Sequence, residues 1–97
     1  MKAVAKFGQR VDLVEVPQEI ISCFEELAHE YLAWLYDEGI EHPFWRYENG
    51  QKVGAQRDGE SFVLWLNRVV LAGTGMEAHL LEQDAKTWDS ALPVLDF

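Results

Sequence analysis

Seventeen carboxylates, three histidines and one cysteine are the side chains that could do chemistry in this chain of 97 residues. A general acid–base pair could be drawn from the carboxylates, but in so short a chain seventeen of them meet by chance, so no pair is specific. His29, His42 and His79 stand in no metal-ligand spacing: there is no Cys-x-x-Cys, His-Glu-x-x-His or His-x-His. On one helix Cys23 and His29 lie about 120° apart and cannot share a metal. A nucleophilic thiol needs a lowered pKa, and the acids around Cys23 would raise it; a small half-buried residue is the plainer reading. Gly73-Thr74-Gly75 is too short for a phosphate-binding loop and lacks its Lys and Ser/Thr. Arg46, Lys52, Arg57 and Arg68 read as counter-charge rather than as a nucleic-acid site. The expectation is a protein with no catalytic residues, no metal and no cofactor, and not an enzyme.

What remains is the arrangement of charge. The net charge is −9, and it is not spread evenly. Between Val11 and Trp45 stand nine acids (Asp12, Glu15, Glu19, Glu25, Glu26, Glu30, Asp37, Glu38 and Glu41) and no Lys or Arg, while the rest of the chain has eight acids and eight bases. Such a block repels nucleic acid and anionic membrane and attracts a basic surface. A surface built to hold nucleic acid is the commonest strongly basic one.

The element that must carry this block is the stretch Pro17 to Glu38. Ile20, Ile21, Phe24, Leu27, Ala28, Tyr31, Leu32 and Leu35 follow the spacing of one core-facing helix. Glu19, Glu26, Glu30 and Asp37 fall in a line on the opposite side, about 27 Å long on a continuous helix. Exposed helix faces commonly mix signs, because Glu–Lys pairs four apart add roughly 0.2–0.5 kcal/mol each. Here Glu26 and Glu30 are like charges four apart, and Asp37 and Glu38 stand at the C-terminal end, where the helix dipole disfavours anions. A sequence selected only for folding gains from a Lys on this face. Glu19, near the helix start, has a structural motive of its own. Trp34 borders the line; tryptophan is enriched at binding hot spots, although a core rim is its ordinary place. The expected partner-binding set is Glu19, Glu26, Glu30, Trp34, Asp37, Glu38 and Glu41.

Around the helix the sequence reads as strands. Alternation in Ala3, Ala5, Phe7 and in Val11, Leu13, with Gly8 between, fits two short strands or one strand with a bulge. Lys2, Lys6 and Arg10 lie there and could pair with the helix acids. Gly39 and His42-Pro43 stop the helix. Asn49-Gly50 between two short runs predicts a type I′ hairpin. Residues 61–66 are apolar on both parities, which fits a central strand or a buried helix; Asp58-Gly59 and the Val, Trp and Phe content favour strand, with Val69–Ala72 pairing beside it. Trp45, Tyr47 and Trp65 would form the sheet side of the core against Phe24, Tyr31 and Leu35. Thr74 with Glu77 matches a capping box and predicts a short helix over 75–83, and alternation in Ala78–Gln83 reads nearly as well as a strand. The tail ending at Phe97 reads as an extended packed segment. The fold class is α+β: one long amphipathic helix packed on an antiparallel sheet of hairpins.

The length fits one domain, residues 1–97, with a single core. At 48% apolar residues and 12 aromatics it is no disordered acidic tail. A single cysteine excludes an internal disulfide and fits a reduced, cytoplasmic chain. No apolar run reaches membrane-spanning length and no signal peptide is apparent.

In length, charge and the carboxylate line Glu19, Glu26, Glu30, Asp37, the chain resembles the small acidic anti-CRISPR proteins of phages directed at the type I-F RNA-guided surveillance complex. That group shares no sequence motif, so the resemblance assigns no residue its role. It implies a DNA-mimicking inhibitor, acting in the bacterial host cytoplasm, whose carboxylates occupy the Lys/Arg sites of the target duplex. A duplex carries a charge about every 1.7 Å along its axis. Carboxylates at steps of about 10, 6 and 10 Å sample that pattern sparsely, and Glu25, Glu38, Glu41 and Asp12 would fill it in. An immunity protein or antitoxin against a basic nuclease toxin uses the same physics. A structural domain with a merely solvated acidic face is the reading from another class.

Overall fold

A hairpin turned at Gly8 begins the chain. In a computed structural model, which describes residues 1–38, 46–53 and 57–97, β1 (Lys2–Phe7) and β2 (Arg10–Glu15) pair antiparallel from Lys2↔Glu15 to Phe7↔Arg10. Gly8 has φ +67°, which the first position of a two-residue hairpin loop requires. Then follow α1 (Gln18–Ile21), α2 (Phe24–Asp37), β3 (Arg46–Glu48), β4 (Gln51–Val53), α3 (Gly59–Trp65), a π turn at Leu66–Val70, β5 (His79–Glu82) and β6 (Val94–Asp96). The molecule is an α+β fold, with a helix of 14 residues and short helices beside it.

The main sheet has the order β5-β2-β1-β6, and β3 with β4 forms a separate two-stranded ribbon. The sheet is mixed rather than antiparallel throughout, because β6 lies parallel to β1, with Val4↔Val94 and Lys6↔Asp96. Two of the expected hairpins are present. In the β3–β4 turn both Asn49 (φ +52°) and Gly50 (φ +78°) are left-handed, as a type I′ turn demands. The tail packs in extended form as β6, and Phe97 stacks on Phe7 with ring centroids 4.5 Å apart.

The expected long helix is broken. Pro17 caps α1, which ends at Ile21, and α2 starts afresh after Cys23, whose φ of −126° and ψ of 26° are not helical. The Ser22 hydroxyl donates to the Glu19 carbonyl at 2.8 Å, and the Cys23 thiol leans on the Glu19 and Ile20 carbonyls. Side chains that bond back to nearby carbonyls offer the backbone an alternative to the helical ladder.

Residues 59–65 are a helix, where strand was favoured. Asp58 caps it by accepting from the Ser61 backbone N–H at 2.8 Å, and Glu60 favours the positive end of its dipole. The Asp-Gly pair is therefore a helix start and not a hairpin turn. Val69 and Val70 belong to the π turn, closed by Leu71 N–H donating to the Leu66 carbonyl at 2.7 Å, so no strand runs there. The stretch 75–83 contains no helix. Its strand reading holds at His79–Glu82, and the Asn67 side chain fixes its entry by bonding both the N–H and the carbonyl of Ala78.

One face of the sheet carries the core. Ala3, Ala5 and Phe7 of β1, Val14 of β2 and Leu95 of β6 meet Phe24, Leu27, Tyr31 and Leu35 of α2 and Phe62, Trp65 and Leu66 from the α3 region. Tyr31 is the centre, with Phe62, Trp65 and Phe97 all within 5.5 Å between centroids. Trp65 thus meets Tyr31 as expected, but from a helix. Trp45 and the Tyr47 side chain lie outside the described residues, as do the Gly39 and His42-Pro43 helix stop. No described helix is long and apolar enough to cross a membrane.

Candidate partner-binding face

Helix α2 buries Phe24, Leu27, Ala28, Tyr31 and Leu35 and so fixes which side chains it turns outward. Glu26, Glu30 and Asp37 are exposed and share one outer ridge, which spans about 17 Å at 1.5 Å per residue. Glu25 and Glu38 are exposed on its flanks. Glu19 is exposed too, but on α1 and beyond the break, so it is not in register with the ridge. The continuous 27 Å line is therefore replaced by a shorter three-carboxylate ridge with Glu19 set apart. Glu41 lies outside the described residues.

Trp34 stands on the flank of this ridge beside Glu30. It stacks on Tyr31 at 6.3 Å between centroids, with the rings 12° from parallel, and remains 37% exposed. Its inner face is anchored in the core while its outer face is free to meet a partner.

The carboxylates of this face are not neutralised from within. None of Glu19, Glu25, Glu26, Glu30, Asp37 and Glu38 has a cation within ion-pair distance among the described residues. Of the nearby cations, Arg10 goes to Asp12, while Lys2 and Lys6 make no ion pair among the described residues. Like charges are thus held on a rigid helix with no local compensation, which raises the negative potential along it.

Asp12 has a different role from the one its charge implied. It is fully buried, and its Oδ2 accepts from the Gly59 N–H at 2.6 Å while its Oδ1 accepts from the Asp84 N–H at 2.7 Å. Arg10 Nε reaches both oxygens, at 3.1 and 3.2 Å. The carboxylate ties β2 to the start of α3 and to the chain leaving β5, and it cannot extend a surface charge pattern. Glu15 is likewise engaged, by the N-terminal ammonium.

Cys23 sits at the head of α2. Burial pushes its thiol up, and the fields of Glu26 and Glu30 push it further, so it stays protonated and a poor nucleophile at neutral pH. Burial also holds the Tyr31 phenol well above its usual range, with Asp58 adding to the shift and Arg57 and Ser61 opposing it. Arg57 lies over the Phe97 ring, and burial pulls its guanidinium down. Among the described residues no group of three His, Cys, Asp or Glu is placed to hold a metal.

The chain matches no known family model, no curated protein and no solved structure. The face must therefore be interpreted from its own geometry.

Proposed function

We propose that this protein is an acidic inhibitor that occupies the nucleic-acid-binding surface of a basic protein or complex. Helix α2 presents the contact, with Glu26, Glu30 and Asp37 as the ridge, Glu38 and Glu19 at its ends, and Trp34 as the apolar anchor. The observation that carries this reading is the set of exposed carboxylates without any cation partner among the described residues. A helix holds such charges without the ordering cost of a flexible polyacid, and a field of one sign steers a basic partner at a rate that falls with salt. The chemistry is exclusion of a nucleic acid, with no bond made or broken. Likeness in size and charge to the inhibitors of the type I-F surveillance complex makes that complex the first partner to test.

The test is binding of the purified protein to that complex, with and without target double-stranded DNA, at two salt concentrations. Salt-sensitive binding that excludes the DNA is the expected result. Simultaneous binding of protein and DNA overturns the blocking role, and no binding at low salt overturns the named partner.

A further inference from the structure

Helix α2 and the edge strand β6 do not close on one another. Two adjoining hollows, of about 360 and 280 Å³, run between them. Phe24, Leu32 and Val94 give this groove apolar walls, and Glu25, Glu26 and Asp96 stand along it. No Lys or Arg lines it, and His29 is its only basic lining residue among those described. Arg57 acts on Asp96 electrostatically but lies over Phe97 and outside the groove.

The strand that borders the groove has an open side. Val4 N–H donates to the Pro93 carbonyl at 2.8 Å, and Phe97 N–H donates to the Lys6 carbonyl at 2.9 Å. Backbone groups alternate along a strand, so residues 93, 95 and 97 turn theirs toward β1, and Val94 and Asp96 turn theirs outward. Neither Val94 nor Asp96 makes another backbone bond among the described residues, and Val94 is 48% exposed. An unpaired strand edge is a template for an added strand.

We propose that this groove binds an extended, arginine- or lysine-bearing segment of a basic protein, which adds as a strand beside β6 and places its cations on Glu25, Glu26 and Asp96. The inference rests on the basic-partner reading above and names the form of the contact. The ridge of α2 offers charge alone. The groove offers three complementary features: outward N–H and carbonyl groups for the segment's backbone, apolar wall for the aliphatic stems of its cations, and carboxylates for their heads. Side chains on one face of an extended segment recur at about 6.7 Å, so successive cations can meet carboxylates along the groove. Charge complementarity excludes an acidic segment, and the open edge favours a strand over a helix.

The test uses the full chain and a capped hexapeptide of alternating arginine and valine, followed by calorimetry and by backbone amide shifts in NMR. Two further peptides serve as controls, one with glutamate for arginine and one N-methylated on alternate residues, in both phases, to remove edge-facing N–H groups while keeping the charge. Shifts at the Val94 and Asp96 amides are expected, with no binding of the glutamate peptide. Glu25→Gln with Asp96→Asn, and N-methylation in the edge-facing phase, are each expected to weaken binding about tenfold. Equal binding of both N-methylated peptides overturns strand addition. Shifts confined to Glu30–Asp37 overturn the groove while leaving the basic-partner reading in place. Failure of the arginine peptide to bind, while the protein still displaces DNA from its partner, also overturns the groove alone. Groove binding without any displacement of nucleic acid overturns the inhibitor reading alone.

Discussion

Asp12 and the ridge carboxylates of α2 are the same chemistry in opposite settings. Asp12 is fully buried, with two backbone N–H donors and Arg10 on its oxygens. Glu26 and Glu30 are exposed and have no cation. A buried carboxylate persists only when hydrogen bonds and a counter-charge replace its water, so Asp12 is part of the fold. An exposed one keeps its water and adds little to the fold, which leaves it available to a partner. A count of acids in a stretch of sequence merges these two roles.

The largest effect should come from removing the buried member. Asp12→Ala leaves the Gly59 and Asp84 N–H groups and the Arg10 guanidinium without their acceptor, and should cost about 3–5 kcal/mol in chemical denaturation. Asp12→Asn, with one acceptor oxygen in place of two, should fall between that variant and the parent. Gly59→Ala attacks the same link from the other side, because a Cβ there would lie 2.7 Å from both Cβ and Oδ2 of Asp12. If Asp12→Ala unfolds at the parental denaturant concentration, the contrast between the two kinds of carboxylate collapses.

The ridge should respond in the reverse sense. Glu26→Lys with Glu30→Lys removes a like-charge pair and should leave the fold as stable or a few tenths of a kcal/mol more so, because opposite charges near the head of α2 are exchanged for mild dipole cost. Affinity for the basic partner should drop by about 1–3 kcal/mol, more at low salt than at high. Thermal unfolding and the binding titration measured on one sample separate the two effects. A variant that binds as well as the parent would return this face to ordinary solvation.

How much of this was legible follows from where local chemistry decided the structure. Asn49-Gly50 and Gly8 fixed their turns because left-handed backbone admits few residues, and α2 announced itself by its apolar spacing. The break at Ser22-Cys23 was hidden, since apolar periodicity runs through it and only the back-bonding of short side chains interrupts the ladder. Residues 59–65 are apolar on every side, so period alone could not separate strand from helix. The deciding signal was Asp58 three residues before Ser61, a cap that was taken for a turn. The ridge Glu26, Glu30, Asp37 was legible from helix geometry. The burial of Asp12 was not, because it depends on Gly59 and Asp84, partners 47 and 72 residues away.

The smallest predicted effect uses Cys23 as a reporter between the two settings. Its thiol is raised first by burial and then by Glu26 and Glu30. A raised thiol holds less thiolate at a given pH, so its reaction with iodoacetamide near pH 8 should be slower than that of an unfolded control. Glu26→Gln with Glu30→Gln deletes only the electrostatic causes. The thiol should then move down, and alkylation should speed up by less than about tenfold, because burial remains and one pKa unit corresponds to a tenfold change in thiolate below the pKa. Added salt should speed the parent and leave the double variant nearly unchanged, since it screens a field the variant no longer has. A rate unmoved by both charge removal and salt would mean that the ridge carboxylates exert no field at the head of α2, and that their potential is too well screened to attract a partner.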